Sequence, residues 1–396
     1  MSDGNSTPDV VSDAEDDGQS TLGMLRARIP PRYYVGFGVF VLLAVLPLGL
    51  STTKILTVTA ALYFAMFVIS WDFVSGYTGQ VSFGHTLFFG VGGYTAALLN
   101  LEFGLSPVLT IFAGVFLATV AGLLVGIPAL RLRGHYLALI TLLPPLVLIR
   151  FFSMYRDTFG GETGLPNPDN LLDVQGDFVA TAELNYYLAL VVFAFVFLIA
   201  FVITRSDHGI TYTAIRENED AVSSVGINPA KFKLFAFVLS AALGGFAGAV
   251  FVHTPAGSAS PSQLLQLTVM IEILIAAILG GLGTITGAAL GGIFIYLARD
   301  YIRGIDAVVP ILDMPVTQMD TLLFYILMLV LLFLLPGGLL PKLTEYGRKI
   351  HARINGTSPE PVTDGGHRTK PTLVRQIETT RAQIIDMLRS FIRRNR

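Results

Sequence analysis

From Ile55 to Ala129, and again from Phe232 to Ala298, the chain carries almost no Lys or Arg. Stretches of that length and character hold several spans of roughly 20 apolar residues each, the length that crosses the hydrocarbon layer of a bilayer. A domain that keeps its surface in water interrupts such runs with charge. Here 53% of the 396 residues are hydrophobic, 14% are charged, and the mean hydropathy is +0.66. These values lie outside the range of water-soluble globular domains. Inside a bilayer every backbone polar group has to be paired within the protein. The expected fold class is therefore all-α, a polytopic integral membrane protein placed in the cytoplasmic membrane.

Windows of apolar residues predict about ten transmembrane helices within 34–341, near 34–50, 55–75, 83–101, 107–130, 135–152, 185–204, 232–254, 266–281, 283–300 and 320–337. The third, and the pair divided at Leu282, read as broken or re-entrant segments. Lys and Arg in the connecting loops orient the bundle. The segments with Arg26, Arg28 and Arg32, with Arg131 and Arg133, with Arg205, Arg216, Lys231 and Lys233, and from Lys342 onward then lie inside, with both termini cytoplasmic. The opposite loops are acidic: Arg150 to Glu183 holds six acids against two bases, and Arg299 to Asp320 four against two.

Residues 1–30 begin with six acids and no base before Leu22 and read as a disordered acidic tail rather than a leader with a basic start. A Pro- and Gly-rich linker is expected over 355–371 and a basic amphipathic helix over 372–396. Val374, Ile377, Ile384, Leu388 and Phe391 of that helix would share a face toward membrane lipid. With no cysteine and scattered histidines, neither a disulfide nor a metal site is expected. No Gly-rich loop ends in Gly-Lys-Ser/Thr, so no nucleotide or other cofactor is expected, and no nucleic acid.

Lipid supplies no hydrophobic drive between helices, so close backbone approach has to hold them together. Gly283, Gly287 and Gly291 recur every fourth residue, as do Gly114, Ala118, Gly122 and Gly126, and each series reads as one helical packing stripe. Between the sixth and seventh spans, residues 205–232 break the apolar pattern. Ile215, Ala221, Val222 and Val225 recur near the helical period, which predicts one amphipathic helix over Ile210 to Val225, polar at Arg216, Glu217, Asn218, Glu219 and Asp220. Gly226 suits a left-handed helix end, and Asn228 followed by Pro229 suits the cap and first position of the next helix.

The run AIRENEDAVSSVGINPAKFKLFAFVLSAALGGFAGAVF resembles the coupling-loop region of the branched-chain amino acid ABC permease family, in the LivM-type of its paired membrane subunits. GYTGQVSFGHTLFFGVGGYTAALL from Gly76, MIEILIAAILGGLGTITGAALGG from Met270 and the closing LLPGGLLP are similar to other stretches of that family, so the resemblance covers roughly residues 35–345. It implies a transport subunit and not an enzyme. The implied partners are a homologous second permease, ABC ATPase subunits and an extracytoplasmic substrate-binding protein. It also implies ATPase contact by Arg216, Glu217, Asn218, Glu219, Ala221 and Gly226.

Polar residues among the glycines are candidates for the translocation path: Gln80, Ser82 and His85, and later Glu272 and Thr284. At 76–93 the polar groups either meet a passing zwitterion or satisfy one another at a helix break. An ionisable residue within a span costs about 2.5–3.5 kcal/mol and normally faces the bundle interior. Glu272 thus lines a path, locks two helices, or reaches headgroup water. Asp72, beside Trp71, reads as a residue of the cytoplasmic interface. A urea or short-amide permease of the same family, and an ion-gradient-driven transporter using Glu272 or Asp72, stay open as alternatives.

Overall fold

Every one of these apolar stretches forms a helix in the computed structural model, which describes residues 31–342 apart from 130, 133, 167, 306–307, 310–313, 316–318, 336–337 and 341. The expected acidic tail, linker and basic terminal helix lie outside the described residues. In chain order the helices are α1 Pro31–Val45, α2 Thr52–Thr78, α3 Thr86–Phe103, α4 Pro107–Ala129, α5 His135–Met154, α6 Arg156–Phe159 and α7 Phe178–Arg205. They continue as α8 Asp207–Glu217, α9 Glu219–Ser224, α10 Pro229–Phe251, α11 Pro261–Leu264, α12 Leu267–Gly281, α13 Ile285–Arg303 and α14 Asp320–Leu334. A short antiparallel pair, β1 Val308–Val309 and β2 Met314–Pro315, is the sole strand pairing among the described residues. Helix α1, with the 3-10 turn Leu46–Gly49, forms a compact unit of its own.

Six stretches are long and apolar enough to cross a membrane: Thr52–Thr78, Pro107–Pro128, His135–Met154, Phe178–Arg205, Pro229–Phe251 and Pro261–Gly281. The expected count of about ten thus has six members by length and composition. Helix α7 begins at Phe178 rather than near 185, because Asp177 Oδ1 accepts a hydrogen bond from the Ala180 amide at 3.0 Å and caps it there.

Burial sorts the helices. In its most apolar window 89% of α2 is buried, against 22–28% for α4, α5 and α7. Helix α2 is therefore the axis, packed by α7, α8, α10, α12 and α13, while α3, α4 and α10 form a second tightly packed group. Apolar residues exposed on α4, α5 and α7, such as Phe112, Phe116, Leu139 and Phe195, form the faces offered to acyl chains. Small residues set the helix spacing. A Cβ built on Gly92 would stand 2.2 Å from the Gly245 carbonyl oxygen, and one on Gly248 2.2 Å from that of Phe89. Ala118 and Gly122 of α4 meet Gly245 and Ala241 of α10 in the same manner.

Candidate coupling site

Helix α2 does not run directly into α3. After Thr78 the chain turns back along the last turns of α2 as an extended stretch, and α3 starts only at Thr86. Backbone groups freed by that break are taken up by side chains. Trp71 Nε1 donates to the Ser82 carbonyl at 2.7 Å, Ser75 Oγ donates to the Gln80 carbonyl at 2.9 Å, and the Phe83 amide donates to Thr141 Oγ1 at 3.1 Å. Ser82 Oγ accepts from the Gly84 amide at 3.3 Å.

His85, fully buried, is stacked on Phe67 and lies edge-on to Phe88. Its Nε2 is 3.0 Å from both Ser70 Oγ and Ser240 Oγ. Ser70 gives its proton to the Phe67 carbonyl, and Ser240 gives its own to the Ser70 carbonyl. Both hydroxyl protons are spent, so Nε2 carries the hydrogen and donates to both oxygens. Gln80, Ser82 and His85 are thus brought together as a buried polar joint among α2, α3 and α10.

Helix α7 ends at Arg205 and reverses sharply through Ser206 into α8, a close elbow that leaves Gly209 no room for a Cβ: one would lie 2.0 Å from the Thr204 carbonyl oxygen. Tyr212 and Ile215 bury the inner face of α8, Tyr212 with its ring edge-on to Phe73 of α2 and to Phe232. The single amphipathic helix expected over Ile210 to Val225 is in fact two. At Asn218 the backbone is extended and its Oδ1 accepts from the Ala221 amide at 3.0 Å, ending α8 and capping α9. The break changes which residues face out. Ala221 and Val225, expected on the apolar face, are exposed, and with Ile210, Ala214 and Ile227 they border a depression of about 310 Å³ between α8 and α9.

Of the polar residues here, Glu217 and Asn218 face outward, whereas Glu219 is drawn inward by Lys233 Nζ at 2.9 Å. Arg216 also points into the bundle. Its Nη1 donates to the Gly76 carbonyl at 2.8 Å, and its Nη2 lies 3.4 Å from Glu217 Oε1. Gly226 follows with φ of +85°, a left-handed turn that favours glycine, and Asn228 Oδ1 accepts from the Ala230 amide at 3.1 Å to start α10.

Arg216 reaches the same point as the division between α12 and α13. Gly283 lies in that division with φ of +75°, not on a helix, so the stripe read from the sequence reduces on α13 to Gly287 and Gly291. A Cβ on Gly291 would stand 2.0 Å from the Ala276 carbonyl oxygen, and one on Gly287 2.8 Å from that of Gly280, which holds α13 close against α12. Thr284 Oγ1 donates to the Gly281 carbonyl at 2.5 Å. Asp72 is fully buried by the protein, and its Oδ1 accepts from the Gly283 amide at 2.8 Å, which fastens α2 to the division. Glu272 of α12 is buried and paired with Arg299 of α13. The pair joins α12 to α13.

The profile of the family described as "Branched-chain amino acid transport system / permease component" matches residues 53–332, from the first turn of α2 to the last turn of α14. The chain belongs to this family. It is a multi-pass membrane permease subunit of the plasma membrane. The permease is 29% identical over 317 residues to the high-affinity branched-chain amino acid transport system permease protein LivM of Escherichia coli strain K12, covering 74% of this chain and 72% of the relative. It is 27% identical over 279 residues to the probable branched-chain amino acid transport permease protein LivM of Methanocaldococcus jannaschii, covering 65% and 78%. It is 28% identical over 294 residues to BraD of Pseudomonas aeruginosa, covering 70% and 91%. No solved structure matches.

At the end of the permease opposite the α8–α9 segment, a polar network that sequence reasoning missed fixes the loop before α7. Asn100 near the end of α3 donates to Asp169 Oδ2 at 3.0 Å and accepts from the Asp169 amide at 2.9 Å. Buried His253, just past α10, is 2.7 Å from the Asp169 carbonyl through Nδ1 and 2.8 Å from Thr110 Oγ1 through Nε2. An Asn and a His at the apolar ends of two spans were the available signal.

Proposed function

We propose that the permease is the membrane subunit of an ATP-driven importer of branched-chain amino acids, paired with a homologous second permease, ABC ATPase subunits and an extracytoplasmic substrate-binding protein. The relatives' names support the substrate class, and the loop charges favour a cytoplasmic position for 205–232 and both termini. The observation that carries the reading is the construction of the α8–α9 segment. Its outer side carries exposed Ile210 and Val225 beside a depression, and its inner side is anchored on α2 by Tyr212 and Arg216. Exposed apolar residues that border one depression are more than singly scattered ones and favour a covering partner. A lever needs both an outer surface to be pushed and an inner attachment to the moving parts.

Alternating access follows. Movement of ATPase subunits docked on α8–α9, with contact at Glu217, Asn218, Ala221 and Gly226, passes through Arg216 to α2 and the α12–α13 division. The small-residue contacts of α3, α4 and α10 let helices shift without opening large voids. Gln80, Ser82, His85 and Thr284 are the polar groups that line the path as it opens. Glu272 already has its counter-charge in Arg299, which weighs against an ion-coupling role for it.

The test is purification and reconstitution. The permease is expected to co-purify with nucleotide-binding chains, and proteoliposomes of the complex to take up leucine with ATP, inhibited by valine and not by urea. Reversing charge at Arg216 and Glu217 is expected to lower both assembly and uptake. Solute accumulation by vesicles holding this chain alone would overturn the assignment.

A further inference from the structure

Two charges from distant parts of the chain meet at one glycine contact. Asp72 of α2 holds the Gly283 amide through Oδ1, and Arg216 of α8 holds the Gly76 carbonyl through Nη1, each at 2.8 Å. The contact between Gly76 and Gly283 has no space for a side chain. A Cβ on Gly76 would lie 2.1 Å from Asp72 Oδ1 and 2.6 Å from the Gly283 nitrogen, and one on Gly283 would lie 2.7 Å from Arg216 Nη1. Both charges therefore bear on the same pair of glycines. Each is also half-used. Asp72 Oδ2 and Arg216 Nε are buried and have no hydrogen-bond partner among the described residues. A buried charged group left partly unsatisfied is costly, and an opposite charge is its natural complement.

We propose that Asp72 and Arg216 form a two-position latch that transmits movement of the coupling segment to the α12–α13 division. In the position seen here each charge holds a backbone group. In the other, α8 has moved along α2 and the guanidinium has exchanged the Gly76 carbonyl for Asp72. Asp72 and Gly76 are four residues apart on one face of α2, and the Asp72 side chain reaches the level of Gly76, where a Cβ would lie 2.1 Å from its Oδ1, so the exchange is a short step of the guanidinium from the carbonyl to the carboxylate. Tyr212 of α8 already packs on Phe73, next to Asp72, so movement of α8 against α2 drives the exchange. Once Arg216 takes up the carboxylate, Gly283 loses its acceptor and the division between α12 and α13 is free to open. Asp72 and Arg216 are then positioning residues that act through Gly283.

The latch rests on the reading of the chain as an ATPase-coupled permease, and its test separates the two. The chain has no cysteine, so Ile285→Cys, at a buried position at the start of α13, reports opening of the division through its rate of reaction with N-ethylmaleimide. Asp72→Asn keeps an oxygen for the Gly283 amide and Arg216→Gln keeps an N–H donor, but neither can make the exchanged ion pair. Each is expected to slow labelling by about tenfold in membranes without ATPase, in the range of a coupling free energy between two sites. The double variant is expected to be no slower than the slower single, and Arg216→Lys to keep most of the rate. In the assembled importer the two neutral variants are expected to lower uptake per ATP hydrolysed by about the same factor. Labelling that is faster or unchanged in the neutral variants, or effects that multiply in the double, would overturn the latch, a purely structural role predicting the faster rate. If Asp72→Asn does not accumulate, Arg216→Gln and Arg216→Lys still decide the sign. Slowed labelling in a chain that recruits no ATPase would keep the latch and discard the importer reading.

Discussion

Glu272 and Arg299 carry the most separable energetic statement at the scale of single residues. Neutralising one member of a buried pair strands the other, a loss of about 3–5 kcal/mol at a fully enclosed site. The Arg299 side chain is 24% exposed and water screens part of its charge, so about 2 kcal/mol is expected for Glu272→Gln. Glu272→Gln together with Arg299→Gln is expected to recover part of that loss, because neither charge is then left alone. Thermal unfolding of the purified chain in lipid bicelles measures both, and a double variant as unstable as the sum of its singles would refute the pairing. The sequence showed that Glu272 needed a partner but not which one. Arg299 counted there as a base of an outer loop although it fell in the last turn of the span expected over 283–300, and only the packing of α13 on α12 shows that its side chain turns to Glu272. The inward turn of Arg216 was equally hidden, since a basic residue on an amphipathic connector reads as solvated until the neighbouring carbonyl is known.

Asn218 decides the form of the α8–α9 segment at the scale of elements. Its side chain caps α9, and its extended backbone stops α8 from continuing. Replacing such a cap with alanine costs about 1 kcal/mol. In Asn218→Ala the amides of 221–223 are therefore expected to exchange with deuterium roughly fivefold faster, while those of α10 hold their rate. Unchanged exchange in α9 would mean that packing of Val222, not the cap, holds the helix. Helices themselves were legible from sequence because a bilayer forces long apolar runs, and the cap at Asn228 and the turn at Gly226 follow from local chemistry. The break at Asn218 was not read, because the apolar spacing of Ile215, Val222 and Val225 continues across it while the helix axis does not. Gly283 illustrates the same limit: its four-residue spacing from Gly287 looks helical, yet its φ of +75° removes it from the stripe.

At the scale of the whole molecule, a partner seated on α8 and α9 as proposed would cover apolar residues that the chain's own core leaves out. Ile210 is 70% exposed and Val225 73%, so neither contributes much to folding. Both stand beside Glu217 and Asn218, which a bilayer interior would exclude and a wet protein interface accepts. Apolar residues at the centre of such a surface carry a disproportionate share of binding. Ile210→Asp with Val225→Asp should therefore leave insertion and thermal stability of the isolated permease unchanged while the ATPase recovered with it falls by about tenfold or more, about 1 kcal/mol for each truncated contact. The control is Glu162→Lys in the loop before α7, a position that is also exposed and charged but lies away from the α8–α9 segment. Normal ATPase recovery in the aspartate variant would remove the α8–α9 depression as the docking surface. Loss in both variants would instead indicate a general failure of assembly, and only loss confined to the aspartate variant assigns the push to this end of the bundle.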